Sequence, residues 1–162
     1  MGAHFNGVRG FLTAAFILSA GSTAIAGKAV TEEKSRVPPQ SLYQTMLDAN
    51  RQTGWVQFRD FDGAQWIYFT ALQTLHCRLS EIRYSINSKT LDENFGLVDC
   101  NPQNPMALPP EAGPDAIALK LPANTAQSIA VQVVWEDGTE SAVAVYEPCK
   151  DVGEQSCAWP LE

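Results

Sequence analysis

Apolar and polar residues alternate along much of the chain from Trp55 onwards, with a period of two residues. In the stretch SEIRYSIN, the residues Ile82, Tyr84 and Ile86 occupy one side of the alternation, and polar or charged residues occupy the other. Such a pattern is typical of a half-buried β-strand. Similar stretches predict seven short strands, at residues 55–61, 65–72, 80–87, 95–99, 116–122, 128–135 and 139–147.

The segments between these strands contain turn signals rather than helical patterns. Asp62-Gly63 and Asp137-Gly138 are dipeptides that favour tight hairpins. Residues 101–115 carry five prolines, which predict an extended, irregular loop. Because no helical crossover separates the strands, antiparallel pairing is expected, and the predicted fold class is an all-β sandwich of two layers. A small barrel is the alternative.

Two runs of the sequence resemble strands of a known class of domain. EIRYSIN and the closing hairpin SIAVQVVWEDGTESAVAVYE resemble the C strand and the F–G hairpin of bacterial immunoglobulin-like and fibronectin type III-like modules. The resemblance is one of pattern over most of the chain, and it implies an immunoglobulin-like antiparallel β-sandwich. The seven predicted strands then correspond to strands A, B, C, C′, E, F and G, and no functional residue is implied.

The first 26 residues have the three parts of a secretory signal peptide. Arg9 supplies the positive charge, residues 11–20 form an uncharged and mostly apolar core, and Ala24-Ile25-Ala26 is a cleavage site of the small-residue type. The apolar core is shorter than the roughly 20 residues that a membrane span requires. We therefore expect cleavage after Ala26 and a periplasmic or secreted mature protein without a membrane span.

Two further segments precede the strands. Residues 27–40 are charged, end in prolines and contain almost no large apolar side chain, which predicts a flexible arm. Residues 41–53 predict a short helix that covers one end of the domain, because Leu42, Met46 and Leu47 recur on one face and Gly54 follows. The predicted single domain covers residues 41–162.

The four cysteines are expected to form two disulfides, because an exported chain enters an oxidising compartment. In the strand order above, Cys77 precedes strand C and Cys100 follows strand C′, which places both residues at the same end of the domain. Cys149 follows strand G at the opposite end, where Cys157 is its natural partner. The predicted pairs are therefore Cys77–Cys100 and Cys149–Cys157.

Neither a metal site nor a catalytic centre is predicted. No two cysteines have the C-x₂₋₄-C spacing of zinc sites or the C-x-x-C spacing of thiol-redox motifs. On a strand, the neighbours His76 and Cys77 would point to opposite faces, which disfavours a shared metal ion. His76 is also the only histidine after residue 26, and no serine motif accompanies it. We expect no enzyme activity and no cofactor.

The charge of the chain narrows the class of partner. The whole chain has a net charge of −7, and removal of Arg9 with the signal peptide leaves 10 basic and 18 acidic residues, or −8. An acidic chain without a basic cluster is a poor match for nucleic acid or for an anionic membrane surface. We therefore expect an exported, non-catalytic binding or accessory protein of the bacterial envelope, whose partner is an envelope protein or a glycan.

The predicted partner surface consists mainly of loops at the Cys77–Cys100 end, because rigid sandwiches carry function on loops. With one aromatic residue from the C-terminal tail, the candidate residues are His76, Arg78, Asn101, Met106, Glu136, Asp137 and Trp159. Two alternatives stay open. One is a carbohydrate-binding module with Trp55 or Trp159 exposed and with Trp66 and Trp135 in the core. The other is a small envelope hydrolase.

The signal-peptide assignment predicts that the exported protein begins at Gly27. Intact-mass measurement and N-terminal peptide sequencing of protein from the exported fraction check this start. A chain that retains residues 11–20 after export would contradict cleavage and would favour a membrane anchor.

Overall fold

Eight strands form two antiparallel sheets in the computed structural model, which describes residues 1–2 and 34–161. The compact unit that contains both sheets begins at Lys34. The predicted signal peptide, apart from its first two residues, and the first part of the predicted arm lie outside the described residues. In chain order, the helices and strands are α1 (Gln40–Asn50), β1 (Gln57–Phe61), β2 (Ala64–Tyr68), α2 (Thr70–Gln73), β3 (Leu79–Ile86), β4 (Glu93–Phe95), β5 (Ala118–Pro122), β6 (Ile129–Trp135), β7 (Ala144–Pro148) and β8 (Ala158–Leu161).

The strand order is β1-β2-β5 in the smaller sheet and β4-β3-β6-β7-β8 in the larger sheet. All of these pairings are antiparallel. The longest pairing joins β3 to β6, from Leu79 opposite Trp135 to Ile86 opposite Ile129. The architecture is therefore all-β, as expected, with two antiparallel sheets.

Side chains from both sheets meet in one hydrophobic core. Phe58 and Ile67 come from the smaller sheet, and Ile82, Val131 and Val133 come from the larger one; each is at most 3% exposed. The two-residue period of each strand directs these side chains to the same, inward face of its sheet. Each such burial stabilises the folded state by roughly 1.5–3 kcal/mol.

Helix α1 packs against this core, as predicted, but it ends at Asn50 and the predicted apolar face is only partly right, because Leu42 is 45% exposed. Tyr43 and Leu47 are its buried residues. The buried indole N–H of Trp55 donates a hydrogen bond to the Leu47 carbonyl oxygen at 2.8 Å, which fixes the helix to the start of the first sheet. No helix among the described residues has the length and apolarity needed to cross a bilayer.

The predicted strand at 65–72 is wrong in its second half. The strand ends at Tyr68, and Thr70–Gln73 form α2. Phe69, Leu72 and Leu75 follow one another at intervals of three residues, and each is at most 1% exposed. A helical turn places residues at this spacing on one face, whereas a strand would divide them between two faces.

Other parts of the strand prediction also differ from the structure, and β1 and β5 each begin two residues later than predicted. β4 spans Glu93–Phe95 rather than 95–99, and β7 begins at Ala144 rather than 139. β8 was not predicted, because its four residues include Pro160 and follow no clear alternation. A proline is tolerated there because β8 is the last strand of its sheet, where one row of N–H groups needs no partner.

An isolated bridge joins the two sheets along one edge. The N–H of Phe58 donates to the carbonyl oxygen of Cys157 at 3.1 Å, and the N–H of Cys157 donates to the carbonyl oxygen of Phe58 at 2.9 Å. Cys157 directly precedes β8, so β1 of the smaller sheet lies beside the last strand of the larger sheet. One edge of the two-sheet structure is therefore partly closed.

Both predicted disulfides are confirmed. The Cα atoms are 4.8 Å apart in Cys77–Cys100 and 5.6 Å apart in Cys149–Cys157. The first bond joins the segment before β3 to the segment after β4, and these two strands are antiparallel neighbours. The second bond closes the connection between β7 and β8.

Residues 34–39 contact the body of the domain, although the sequence assigned them to the flexible arm. The N–H of Arg36 donates to the Pro102 carbonyl oxygen at 2.8 Å. The Arg78 Nε donates to the Pro38 carbonyl oxygen, also at 2.8 Å. This part of the predicted arm therefore belongs to the compact unit.

The substitution Gly54→Ala should destabilise the fold more than Gly138→Ala. Both glycines have positive φ, +102° and +81°, so alanine is expected to cost about 1–2 kcal/mol at either position. At Gly54 the added Cβ would also lie 2.7 Å from the Val56 carbonyl oxygen, whereas at Gly138 it would meet nothing within 4 Å. Urea unfolding measures both variants, and equal losses would contradict the close approach at Gly54.

Candidate functional site

In the predicted partner surface, Arg78 and Glu136 bind each other. The Arg78 guanidinium forms an ion pair with the Glu136 carboxylate. The same guanidinium also holds the Pro38 carbonyl oxygen. Because these groups connect three separate segments of the chain, their first role is to fix the loops at this end.

Asp137 is similarly engaged. Its carboxylate accepts hydrogen bonds from the Thr139 hydroxyl at 2.6 Å and from the Gln40 side-chain amide at 2.8 Å. The hydrogen bonds from Thr139, followed by that from Gln40, hold the pKa of Asp137 below its usual value. Of the other candidates, Asn101 is exposed and Met106 packs against the core. A partner surface at this end stays a prediction.

His76 lies in a position that the strand prediction missed. Residues His76–Arg78 form a 3₁₀ turn, and His76 is only 3% exposed. Its Nδ1 lies 2.5 Å from the Gln73 carbonyl oxygen, and its Nε2 lies 3.5 Å from the Cys77 sulfur. The expectation that His76 and Cys77 point to opposite faces was therefore wrong, because a turn does not have the alternation of a strand.

The four tryptophans divide into buried and accessible pairs. Trp135 is 3% exposed, as expected for a core residue, but Trp55 is only 1% exposed although an exposed position was considered for it. Trp66 is half-buried rather than part of the core. Trp159 is 63% exposed.

Trp66 belongs to the outer face of the smaller sheet. Its ring is nearly parallel to that of Tyr68, with an angle of 15° and a centroid separation of 6.4 Å. The Lys120 ammonium lies 5.1 Å from the Trp66 ring centroid, within the range of a cation–π interaction. Because Lys120 already covers this ring, a ligand that stacked on Trp66 would first have to displace the lysine.

A groove of about 490 Å³ lies beside β7 and β8, and we call it the Trp159 groove. Val143, Trp159 and Leu161 contribute apolar walls, while Arg51 and Lys89 contribute positive charge. The exposed fractions are 63% for Trp159, 41% for Leu161 and 37% for Val143. Apolar side chains that face solvent together in a concave site indicate a binding surface.

The register of β8 positions the aromatic wall of the groove. Trp159 lies opposite Glu147 on β7, and Leu161 lies opposite Val145. Ala158 is 7% exposed and belongs to the core. Alternation along the strand therefore turns Trp159 and Leu161 to the outside together.

Arg51 is held rigidly at the other wall. Its Nη2 donates to the Val143 carbonyl oxygen at 2.7 Å, and its guanidinium carbon lies 5.2 Å from the Trp55 ring centroid. The Arg51 carbonyl oxygen accepts a hydrogen bond from the Tyr146 hydroxyl at 2.9 Å. Burial raises the pKa of this tyrosine, so it stays a hydrogen-bond donor at neutral pH.

The groove therefore combines one exposed aromatic ring, the hydrogen-bonded guanidinium of Arg51 and the ammonium of Lys89. Sequence reasoning identified Trp159 but missed Arg51, Lys89 and Val143. These three follow α1, lie in the β3–β4 connection and precede β7, respectively. No local pattern links such distant segments, so only the folded chain brings them together.

Comparisons with protein-family models, with curated proteins and with solved structures find no match to this chain. Function is therefore inferred from the chemistry of the described residues.

Tyr146→Phe should lower the free energy of unfolding by about 1 kcal/mol, because the hydrogen bond to the Arg51 carbonyl oxygen is lost. Tyr43→Phe is the matched control. The Tyr43 hydroxyl is buried and has no hydrogen-bond partner among the described residues, so its removal should leave stability equal or higher. Urea unfolding of both variants measures the two changes in the free energy of unfolding. Equal losses in the two variants would contradict this prediction.

Proposed function

We propose that the protein is an exported, non-catalytic binding module of the bacterial envelope that binds an acidic glycan in the Trp159 groove. The observation that carries the proposal is the 63% exposed indole of Trp159, which shares one concave site with Arg51 and Lys89. An aromatic ring with nearby charged groups matches a ligand that has both apolar ring faces and carboxylates.

We also propose that the two sheets that carry the groove form an immunoglobulin-like sandwich. The order β1-β2-β5 supports a sheet of strands A, B and E, and the order β4-β3-β6-β7 supports a sheet of strands C′, C, F and G. Both orders agree with the assignment that the sequence resemblance implies. β8 is then an additional strand beside strand G, and it supplies the aromatic wall of the groove.

Export is supported by the pairing of all four cysteines in two disulfides. Disulfides persist in oxidising compartments and are rare in the reducing cytosol. The signal-peptide pattern in the first 26 residues points to the same destination.

The aromatic part of the site favours a sugar ring. The C–H groups on one face of a pyranose ring can pack against an exposed indole. Tryptophan provides this large contact area at low conformational cost, because its side chain has only two χ angles. At the Trp159 groove, Leu161 and Val143 extend the apolar surface beside the ring.

The charged part of the site favours an acidic sugar. A guanidinium has five N–H donors in a fixed fork, so Arg51 retains donors for a carboxylate after binding the Val143 carbonyl. Lys89 adds a second positive charge to the lining. In a chain of net charge −7, two cations in one groove favour an anionic ligand through charge complementarity.

A binding role is proposed in preference to hydrolysis. Most glycosidases use a pair of Asp or Glu side chains on either side of the scissile bond. The described side chains that line the Trp159 groove are aromatic, aliphatic, amide or cationic, and no carboxylate is among them. They are suited to holding a sugar rather than to transferring a proton.

Tetragalacturonic acid should bind to the purified protein, as measured by isothermal titration calorimetry and by a change in tryptophan fluorescence. Trp159→Ala should weaken this binding at least about tenfold, because the loss of a central aromatic contact at a binding hot spot typically costs about 2 kcal/mol or more. The neutral tetrasaccharide cellotetraose should bind at least about tenfold more weakly than the acidic one, because it cannot pair with Arg51 and Lys89.

Trp66→Ala is the matched control, because Trp66 lies on the outer face of the other sheet and should leave the affinity unchanged. Circular dichroism checks that both variants are folded. Undiminished binding by the Trp159→Ala variant would contradict the site, and equal affinity for both tetrasaccharides would contradict the acidic ligand. No binding of either sugar would reject the glycan. The appearance of shorter sugars by mass spectrometry would favour a hydrolase.

A further inference from the structure

We propose that reduction of the Cys77–Cys100 disulfide creates a binding site for a thiophilic metal ion, and we expect Zn²⁺ or Cu⁺ to bind there. The ligands would be the two cysteine sulfurs and the Nε2 of His76. These three atoms already lie within 4.8 Å of one another. The inference is independent of the glycan-binding proposal.

The orientation of His76 is the first argument. Its Nδ1 lies 2.5 Å from the Gln73 carbonyl oxygen, and a carbonyl only accepts hydrogen bonds, so Nδ1 carries the proton. With this proton on Nδ1, the lone pair of the imidazole that can bind a metal is on Nε2, which lies 3.5 Å from the Cys77 sulfur. Metal-binding histidines are oriented in the same way, with the second ring nitrogen donating to a carbonyl or carboxylate.

Gln73, whose carbonyl oxygen holds His76, is itself fixed in position. Gln73 is completely buried. Its side-chain amide donates to the carbonyl oxygens of Gly96 and Ala116, at 2.7 and 2.8 Å. The carbonyl that holds His76 therefore belongs to a residue that is fixed at both its backbone and its side chain, and this holds the imidazole in place before any metal arrives.

The spacing of the ligand atoms is the second argument. Zinc binds histidine nitrogen at about 2.0–2.1 Å and cysteine sulfur at about 2.3 Å, and at a tetrahedral angle such ligands are roughly 3.5 Å apart. The distance between His76 Nε2 and Cys77 Sγ is 3.5 Å. The Cys77 and Cys100 sulfurs must separate after reduction. Cys100 lies in an exposed loop segment, which gives its side chain room to move.

The two cysteines of the disulfide differ in exposure, and this difference indicates which sulfur a reductant attacks. Cys100 is exposed, whereas Cys77 is only 9% exposed. A thiolate of a dithiol reductant attacks the Cys100 sulfur, the Cys77–Cys100 bond breaks, and Cys77 leaves as a thiolate. The second thiol of the reductant then displaces Cys100 and forms the reductant's own disulfide. Two electrons thus pass to the protein, and the two thiols release their protons when Zn²⁺ binds.

Three protein ligands leave one position of a tetrahedral zinc ion for water, and they suit three-coordinate Cu⁺ directly. Soft thiolate ligands favour these two ions over hard cations such as Mg²⁺ or Ca²⁺. Among the described residues, Cys149–Cys157 is not part of a comparable cluster of ligands. The second disulfide therefore provides an internal control.

The test uses the exported protein, reduced with a phosphine and freed of the reductant under nitrogen. Zinc competition against a chromophoric chelator should give one bound Zn²⁺ per reduced chain and none per oxidised chain. The double substitution Cys77→Ser and Cys100→Ser should abolish binding although Cys149 and Cys157 remain reduced. His76→Gln should weaken binding at least about tenfold, since loss even of outer-shell partners costs tenfold to a hundredfold.

Co²⁺ serves as a spectroscopic probe of the ligands, because thiolate coordination produces charge-transfer bands that the oxidised chain should lack. Equal zinc binding by the His76→Gln variant and the unsubstituted chain would overturn the proposal and indicate adventitious thiol binding. Binding to the oxidised chain would overturn it as well. If near-ultraviolet circular dichroism shows that the reduced chain unfolds and zinc does not restore the fold, the proposal is also wrong.

Discussion

One edge of the molecule depends on Cys157, through its disulfide, its backbone hydrogen bonds and its position in the chain. Cys157 forms a disulfide with Cys149, exchanges two backbone hydrogen bonds with Phe58, and directly precedes β8. On the chain-entropy model, a disulfide between residues 8 apart contributes about 2.5 kcal/mol by restricting the unfolded chain. β8 is only four residues long, so this covalent link offsets part of the conformational entropy that the short strand loses on pairing.

How well each element could be predicted depends on whether local residues or distant partners determine it. β3 and β6 were predicted to within one residue, because each alternates strongly around the core residues Ile82 and Val133. α2 was not predicted, because Phe69 and Leu72 look alike in a buried strand and in a buried helical turn. β8 was not predicted because its pairing with β7 and its disulfide, rather than its own pattern, determine its structure.

The candidate site shows the same division. Cysteine pairing followed from strand order alone, since antiparallel neighbours bring Cys77 and Cys100 to one end. Burial of individual tryptophans did not follow, because Trp55 is enclosed by its hydrogen bond to Leu47 and by the Arg51 guanidinium. Nothing in the neighbouring residues of Trp55 specifies these contacts. A sequence pattern can therefore identify an aromatic residue without showing whether solvent reaches it.

The two disulfides hold different parts of the protein, and the two proposed sites depend on them to different degrees. Cys149–Cys157 determines where β8 begins, and β8 carries Trp159, so the groove depends on this bond. Most of the groove lining comes from β7, β8, the residue before β7 and the residues after α1. Among the described lining residues, Lys89 alone, in the β3–β4 connection, lies between Cys77 and Cys100. Opening Cys77–Cys100 removes a link between the segments flanking β3 and β4 but leaves the β6–β7–β8 hydrogen bonds in place. A metal ion bound by His76, Cys77 and Cys100 would restore the lost link, so the same three residues can stabilise this end of the domain in either redox state.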